Sequence, residues 1–147
     1  MSKISVQNDD FDIGAEIELI RQSRTDIGAV VSFTGTVRDT LGDLSSMTLE
    51  HYPGMTEKEL ERIAATAYER WPILDCTIIH RVGRMEPGDN IVLVITASPH
   101  RKAAFESAEF LMDFLKTNAT IWKKEATNKG ENWVDAKSSD DDALERW

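Results

Sequence analysis

The order in which helix-like and strand-like segments follow one another is the feature that most constrains the fold of this chain. Helical periodicity appears in three segments, over residues 13–23, 56–71 and 100–116. Segments rich in β-branched and aromatic residues predict strands over 28–37, 47–52, 77–82 and 91–97. Residues 120–126 and 132–137 flank a turn and predict a C-terminal β-hairpin. Because these elements follow no regular βαβ repeat, we predict one α+β domain over 1–147, with an antiparallel sheet and three main helices.

Short motifs predict where the helices begin. Asp12 is a suitable N-cap for the first helix, and Ser98-Pro99 matches a cap followed by proline at the start of the third. Thr56 and Glu59 form a Thr-x-x-Glu capping box for the second helix. The mostly apolar first half of 28–37 predicts a well-buried strand. The acidic last ten residues fit either a docked helix or a loose tail, and the sequence does not decide between them.

The charge balance limits the classes of partner. Acidic residues outnumber basic ones 26 to 17, which gives a formal net charge of −9. Nucleic-acid and membrane surfaces need clustered positive charge, so we expect neither partner, although a local basic pocket is compatible with this balance. No apolar run approaches the roughly 18 residues of a membrane span, and the first ten residues lack the apolar core of a signal peptide. We therefore expect a soluble, cytoplasmic protein.

Cysteine and histidine are too sparse to predict a disulfide framework or a metal centre. Cys76 is the single cysteine, and its apolar surroundings favour a buried small hydrophobe over a reactive thiol. His51, His80 and His100 are scattered, with no Cys pair or His-x-x-x-His spacing. We therefore predict neither a bound metal nor a cofactor.

The start of the third helix carries the clearest chemical signal. Helix N-termini carry partial positive charge and usually attract Asp or Glu, yet His100, Arg101 and Lys102 follow Ser98-Pro99 here. Free backbone N–H groups together with these cations favour a phosphate site. Exposed basic residues are also tolerated at such positions, especially in an acidic protein, so from this feature alone both interpretations stay open.

Four more cations lie at the ends of predicted elements or within the predicted strand 120–126. Arg38 follows the strand-end stretch Thr34-Gly-Thr-Val37 and can grip phosphate bidentately, although Gly35 more often relieves local packing. Lys116 ends the third helix, where it also complements the helix dipole. Lys123 and Lys124 alternate along a strand, so they point to opposite faces and only one of them is expected to join Lys116. For Lys124, a solvent-facing position is the favoured alternative.

Seven segments of the chain resemble the catalytic (large) subunit family of molybdopterin synthase. They come in the order of that family and cover nearly the whole chain, from about Ile13 to Trp147. The chain departs from the bacterial pattern at Thr36, which is often Lys there, and at Lys137, which can be Arg. The segments are Phe33-Thr-Gly-Thr-Val-Arg38, Leu49-Glu-His-Tyr-Pro-Gly-Met55, Ile79-His-Arg-Val-Gly83, Pro87-Gly-Asp89, Ser98-Pro-His-Arg101, Met112-Asp-Phe-Leu-Lys-Thr117 and Trp122-Lys-Lys-Glu-Ala126.

The resemblance implies a fold, a reaction and partners. The fold is a mixed, α/β-hammerhead-like domain, and no cofactor is implied. The reaction is a sulfur transfer that converts cyclic pyranopterin monophosphate into the dithiolene-bearing molybdopterin of molybdenum cofactor biosynthesis. Sulfur arrives as a thiocarboxylate on the C-terminal Gly-Gly tail of a small ubiquitin-like subunit. The family implies a homodimer at the centre of a heterotetramer. A chain without a sulfur-carrying site of its own fits a donor delivered from outside.

The resemblance also implies roles for residues. Lys116 and Lys123 are the catalytic pair, one stabilising the oxyanion and the other moving protons, and the sequence does not decide which does which. Phe33 and Met112 are candidates to line the channel for the partner's tail, with ordinary core packing as the alternative. Lys137 is a candidate for an additional anion contact. The implied substrate-binding residues are Thr36, Val37, Arg38, His100, Arg101, Lys116, Lys123, Lys124 and Glu125.

Helix geometry predicts that the site is shared between two subunits. In a continuous third helix, Arg101 and Lys116 lie about 22 Å apart along the axis, which one small pterin does not easily span. We therefore expect His100 and Arg101 of one copy to complete the pocket of the other. The main alternative is a non-catalytic module that binds a phosphorylated metabolite or a partner's tail. A general nucleotide-binding enzyme is disfavoured because the two Gly-rich phosphate-loop motifs are absent.

Overall fold

The computed structural model describes residues 2–22, 24–117, 120–134, 138–145 and 147, without the side chains of 138–141. The described part folds into strands and helices that confirm the predicted α+β class. No helix within it is long and apolar enough to cross a membrane. The elements are β1 (Ser2–Gln7), α1 (Ile13–Arg21), β2 (Ala29–Thr36), β3 (Leu44–His51), α2 (Met55–Arg70), β4 (Asp75–Arg81), β5 (Gly83–Met85), β6 (Asn90–Ser98), α3 (Arg101–Thr117), β7 (Ile121–Thr127), β8 (Gly130–Val134) and α4 (Ser138–Glu145).

The strands form two four-stranded sheets. The first sheet has the order β1-β4-β6-β2 and is antiparallel except for the parallel pair β1–β4. The second has the order β5-β3-β7-β8 and is antiparallel throughout. The predicted hairpin is confirmed as β7 and β8, joined at residues 128 and 129. The second sheet thus brings the lysine-bearing strand β7 beside β3.

The first sheet has helices on both faces. Along β4, Cys76 and Ile78 face the core under α2 and α3, which also contains Leu60, Phe110 and Leu111. The alternate residues of the sheet face α1, where Ile20, Ile79, Leu93 and Ile95 form a second cluster. Strand alternation therefore fixes which side chains meet α3. A third cluster, on the inner face of the second sheet, contains Val37, Met47, Leu49, Val82 and Met85.

Two predicted helix starts differ from those observed. The Asp12 cap is confirmed, since its Oδ1 accepts from Ala15 N–H at 3.0 Å. The N-cap, however, is Gly54, and only the Glu57 half of a capping box is present, because Gly54 N–H donates to Glu57 Oε1 at 3.1 Å while glycine has no side chain to accept in return. Thr56 lies inside α2 and its hydroxyl bonds elsewhere. Ser98 is still in β6, and its hydroxyl donates to the backbone oxygen of His100, so the predicted cap there is wrong.

The predictions from sequence were also wrong for the strands at the sheet edges. β1 was not predicted, because its short pattern offers only Ile4 and Val6 to the core and its partner β4 is distant in sequence. β5 was missed because it spans three residues. β2 was predicted to be well buried, yet it is an edge strand on which Phe33 is 42 % exposed. Edge position depends on tertiary pairing, which local composition does not encode.

The structure decides between the two interpretations of the C-terminal residues. Residues 138–145 form α4, which contacts α3. Trp147 packs edge-on against Phe110 and Trp71, at ring-centroid distances of 5.8 and 5.6 Å. Its indole N–H donates to Asp113, and its backbone oxygen accepts from Arg70 at 2.8 Å. The segment is therefore a docked helix rather than a loose tail.

Candidate active site

The register of β7 against β3 determines which lysine faces the protein interior. Lys123 is paired with Leu49 and Glu125 with Met47, and both β3 partners are buried in the third cluster. Directly paired residues of antiparallel strands point to the same face. Lys123 and Glu125 therefore lie on the inner face of the second sheet, and both are half-buried.

Lys124 points to the opposite face, as strand alternation predicted. It is paired with Thr48 and Trp133 across the sheet. Its Nζ lies 3.4 Å from Glu131 Oε2 and 5.2 Å from the centroid of the Trp133 ring. Within one chain, an ion pair and a cation–π contact thus hold Lys124 on the outer face of the sheet. Lys124 therefore does not lie beside Lys123 on the inner face.

Lys116 lies on the helix that covers the first sheet. It is exposed in the last turn of α3, and α3 covers the face of β4 on which Cys76, Ile78 and His80 alternate. The charge of Lys116 acts on the imidazole of His80, as does that of His51. His51 is paired with Ile121, and Lys123 is two residues, or about 7 Å, further along β7 on the same face. Lys116 and His51 are thus both near His80, and Lys123 shares a sheet face with His51.

His80 is a buried neutral imidazole at the centre of this arrangement. It is 8 % exposed, and its Nδ1 lies 2.9 Å from the backbone oxygen of Arg81. A carbonyl oxygen only accepts, so Nδ1 carries the hydrogen and Nε2 keeps its lone pair. Burial, helped by the charges of Lys116 and His51, lowers the pKa of His80 from 6.5 to about 4, against the opposing effect of the bond to Arg81. In the sequence, His80 lies within the family-like segment Ile79-His-Arg-Val-Gly83, but nothing there assigned it a role in the site.

We expect His80 to make the fold sensitive to mild acid. The unfolded chain binds this proton near pH 6.5 and the folded chain near pH 4, so the unfolded state holds more protons between these values. Stability should therefore fall as pH falls through this window, by about 2 kcal/mol from pH 7 to pH 5. Urea unfolding at several pH values measures this loss, and His80→Gln should remove most of the slope. Equal slopes in both proteins would show that other groups cause the acid sensitivity.

Arg38 stands at the rim of the inner-face cluster. The preceding Val37 is 4 % exposed, and its side chain belongs to that cluster. Val37 N–H donates to Asp89 O at 2.9 Å, and Val37 O accepts from Gly88 N–H at 2.8 Å. Val37 is thus fixed by the 86–89 turn, which leaves Arg38 exposed at the end of β2, with Thr36 also exposed.

Gly35 serves packing rather than a ligand approach. A Cβ at this position would lie 2.8 Å from Val92 Cγ1. Contacts this short force a neighbour to move, so the glycine allows β2 to lie close against β6. The alternative that we gave for Gly35, relief of local packing, accounts for it.

His100 and Arg101 lie at the far end of α3 from Lys116. Both are exposed, and the first turn of the helix has no acidic residue. The helix is continuous from Arg101 to Thr117, so about 22 Å separates Arg101 from Lys116 along its axis. Within one chain the structure does not bring these cations together with the lysines.

The remaining candidates are dispersed. Phe33 is on the edge strand β2, whereas Met112 packs against the core under α2 and α3, which fits the core-packing alternative for Met112. Lys137 lies outside the described residues. The described side chains contain no group of three His, Cys, Asp or Glu residues that could hold a metal ion.

Cys76 does not offer a reactive sulfur. It is 0 % exposed, and burial raises the pKa of its thiol to about 12. The thiolate is the nucleophilic form, so this side chain stays an inert thiol at neutral pH. Any sulfur used at the site must therefore come from another molecule.

Comparison with known proteins places these features in a family context. The family model described as MoaE protein matches residues 6–118. The molybdopterin synthase catalytic subunit of Rhizobium meliloti (strain 1021) is 59% identical over 146 residues, covering 98% of this chain and 94% of that protein. The subunit of the same name from Escherichia coli (strain K12) is 50% identical over 148 residues, covering 99% and 98%. A solved molybdopterin biosynthesis MoaE protein from Burkholderia ambifaria MC40-6 has a TM-score of 0.87 and 56% identity, covering 100% of this chain and 98% of that one.

Proposed function

Because the chain belongs to the MoaE protein family, we propose that it is a molybdopterin synthase catalytic subunit that transfers sulfur to cyclic pyranopterin monophosphate. The observation that supports this proposal is that the charge of Lys116 acts on His80, while Lys123 shares the inner face of the second sheet with His51, which also acts on His80. Cationic side chains there suit a phosphorylated substrate and an anionic sulfur donor. The relatives' name, catalytic subunit, agrees with an enzyme that works together with a second kind of subunit.

The sulfur donor is a small ubiquitin-like subunit whose C-terminal Gly-Gly ends in a thiocarboxylate. Its sulfur forms a bond to an oxygen-bearing carbon of the pyranopterin, and the carbon–oxygen bond at that carbon breaks. The oxygen leaves protonated, as water or as the released end of the cyclic phosphate, and a thioester joins the donor to the pterin. Water then adds to the acyl carbon and the acyl carbon–sulfur bond breaks. The donor leaves as a carboxylate, and the sulfur stays on the pterin as a thiolate. Two such transfers produce the dithiolene, and the buried thiol of Cys76 takes no part.

The two lysines supply charge and proton transfer to these steps. Each thioester hydrolysis passes through a tetrahedral oxyanion, which a positioned ammonium group stabilises. Opening of the cyclic phosphate and loss of water require proton movement, which a second amine can provide. Lys123 lies on β7 and Lys116 in the last turn of α3, so one donor tail and one pterin can lie between them. Glu125, on the same face of β7 as Lys123, would orient the substrate.

The phosphate is held by cations that the dimer brings together. Arg38 stands at the rim of the lysine region, while His100 and Arg101 are about 22 Å away along α3. In a homodimer, His100 and Arg101 of one copy complete the pocket that contains Lys116 and Lys123 of the other. Thr36, Val37 and Lys124 are assigned peripheral contacts, and Lys137 an additional anion contact. This dimer forms the centre of a heterotetramer with two donor subunits.

The proposal also includes a channel for the donor tail and a cellular location for the reaction. Phe33, on the exposed edge of the first sheet, is the better supported wall of the tail channel, whereas Met112 packs against the core under α2 and α3. Residues 1–147 act as one domain, and the reaction takes place in the cytoplasm. The second candidate, a non-catalytic binding module, is favoured only by the exposure of His100 and Arg101.

A single-turnover assay tests the proposed function. The chain is mixed with a thiocarboxylated Gly-Gly donor subunit and cyclic pyranopterin monophosphate, and dithiolene formation is followed. We expect dithiolene to appear together with one desulfurised donor per sulfur transferred. Donor subunit that ends in a carboxylate is the matched control and should yield none. Binding of the pterin without dithiolene would favour the binding module instead.

A further inference from the structure

Thr56 has a buried hydroxyl that does not cap its own helix. The residue is 0 % exposed in the first turn of α2. Its backbone N–H donates to Tyr52 O at 2.9 Å, and its Oγ1 accepts from Tyr52 N–H at 3.1 Å. The start of the helix is already served by Glu57, which accepts from Gly54 N–H. The hydroxyl of Thr56 is therefore available for a contact outside the helix.

That contact is made with Thr120, which lies between Lys116 and Lys123 in the sequence. Thr56 Oγ1 lies 2.6 Å from Thr120 Oγ1 and 3.1 Å from Thr120 O. Thr120 stands between Lys116, in the last turn of α3, and Lys123, in β7. The next residue, Ile121, is paired with His51 on β3. One buried side chain thus connects the end of β3, the start of α2 and the entry to β7.

The position of Thr120 determines where the amine of Lys123 stands. Lys123 follows Thr120 by three residues, in β7, so a displacement of the chain at Thr120 moves the base of this side chain. Misplacement of a reacting group by about 1 Å can cost on the order of 10²-fold in rate. We propose that Thr56 is a positioning residue that holds Thr120 and the start of β7, and with them Lys123, in register for sulfur transfer; this inference rests on the function proposed above.

A purely structural role would predict a different pattern. Buried hydroxyls that bond backbone oxygens stabilise many folds without any effect on chemistry. Thr96 is such a residue, since it is 0 % exposed and its Oγ1 donates to Ala104 O at 2.7 Å. It lies in β6 of the first sheet and contacts the first turn of α3, far from Lys116 along the helix. Thr96→Val is therefore a matched control for the loss of a buried hydroxyl.

The test compares Thr56→Val, Thr56→Ser and Thr96→Val. Both valine variants keep the volume of threonine and should lower Tm by about 3–6 °C. Thr56→Val should also lower the single-turnover rate at saturating pterin about 10- to 100-fold, with little change in the half-saturating concentration. Thr56→Ser keeps the hydroxyl and should retain the rate within about twofold. Thr96→Val should keep the wild-type rate when it is assayed well below its Tm.

Two results would overturn the inference. One is an unchanged rate in Thr56→Val despite a lowered Tm, because Thr56 would then be structural only. The other is an equal loss of rate in Thr96→Val, because general destabilisation would then explain both.

Amide hydrogen exchange separates this inference from the proposed function. Without the Thr56 hydroxyl, we expect the amides of residues 121–123 to exchange about 10-fold faster, whether or not the chain is an enzyme. Faster exchange in a chain whose wild type transfers no sulfur would overturn the proposed function and its catalytic consequence, while the structural link would hold. Unchanged exchange in Thr56→Val would overturn the link itself.

Discussion

Replacing Lys116 with alanine should lower the single-turnover rate of dithiolene formation by about 10²–10⁴-fold. The loss follows from the role of the amine, since removal of one positioned proton donor or oxyanion-stabilising group typically costs this much. Lys116 is exposed at the end of α3, so its truncation leaves the core intact. Tm should therefore change by no more than about 1–2 °C. Rapid-quench assays with the thiocarboxylated donor, together with thermal unfolding, measure both quantities.

Lys58→Ala provides the control for the loss of a lysine charge. Lys58 is exposed on α2 and is not among the residues assigned to the site. Its truncation should leave the rate within about twofold of wild type, because screening weakens the effect of distant exposed charges. A Lys116→Ala variant that transfers sulfur at the full rate would remove Lys116 from the mechanism.

Mixing two inactive variants should restore activity if the site is shared. Lys116→Ala and Arg101→Ala each damage every site of their own homodimer. In a mixed dimer, one site combines the intact Arg101 of the first copy with the intact Lys116 of the second. After subunits exchange at equal amounts, half the dimers are mixed and half of their sites are whole. Activity should therefore recover to roughly a quarter of wild type.

A second pair of variants controls for nonspecific rescue. Lys116 and Lys123 belong to the same half of the proposed site, so mixing Lys116→Ala with Lys123→Ala leaves every site with one lysine missing. This mixture should stay as inactive as either variant alone. Recovery in both mixtures, or in neither, would count against a site that His100 and Arg101 of the other copy complete.

Local sequence rules predicted much of the fold because its main elements carry local signals. The Asp12 cap, the continuous helix before Lys116 and the hairpin around residues 128 and 129 all follow from contacts between near neighbours. Alternation alone also predicted that Lys123 and Lys124 point to opposite faces, and the register of β7 bears this out. In these cases the periodicity of the backbone determines the result.

The failures at β1, Thr56 and His80 share one cause, a partner that is distant in sequence. β1 forms only because β4 offers it a parallel edge. Thr56 had the spacing of a capping box with Glu59, yet its hydroxyl is used by Tyr52 and Thr120. His80 looked like an isolated histidine, and only the packing of α3 over β4 places it near Lys116. Tertiary contacts overrode the local signal at each of these positions.

The candidate site was predicted in part for the same reason. The resemblance supplied Lys116 and Lys123, and the structure places Lys123 on the inner face of the second sheet and Lys116 in the last turn of α3. The separation of Arg101 from Lys116 followed from helix length alone. The position of His80 and His51 near Lys116, and the contact of the Thr56 hydroxyl with Thr120, had no local signal in the sequence. Both depend on how the two sheets meet.

A crystal structure of the chain with bound cyclic pyranopterin monophosphate would test most directly whether the two lysines act on one substrate. We expect the phosphate to contact Arg38 together with His100 and Arg101 of the other protomer. The pterin ring should lie within about 4 Å of the Nζ atoms of Lys116 and Lys123. A bound pterin at another place, with both amines directed into open solvent, would contradict the account.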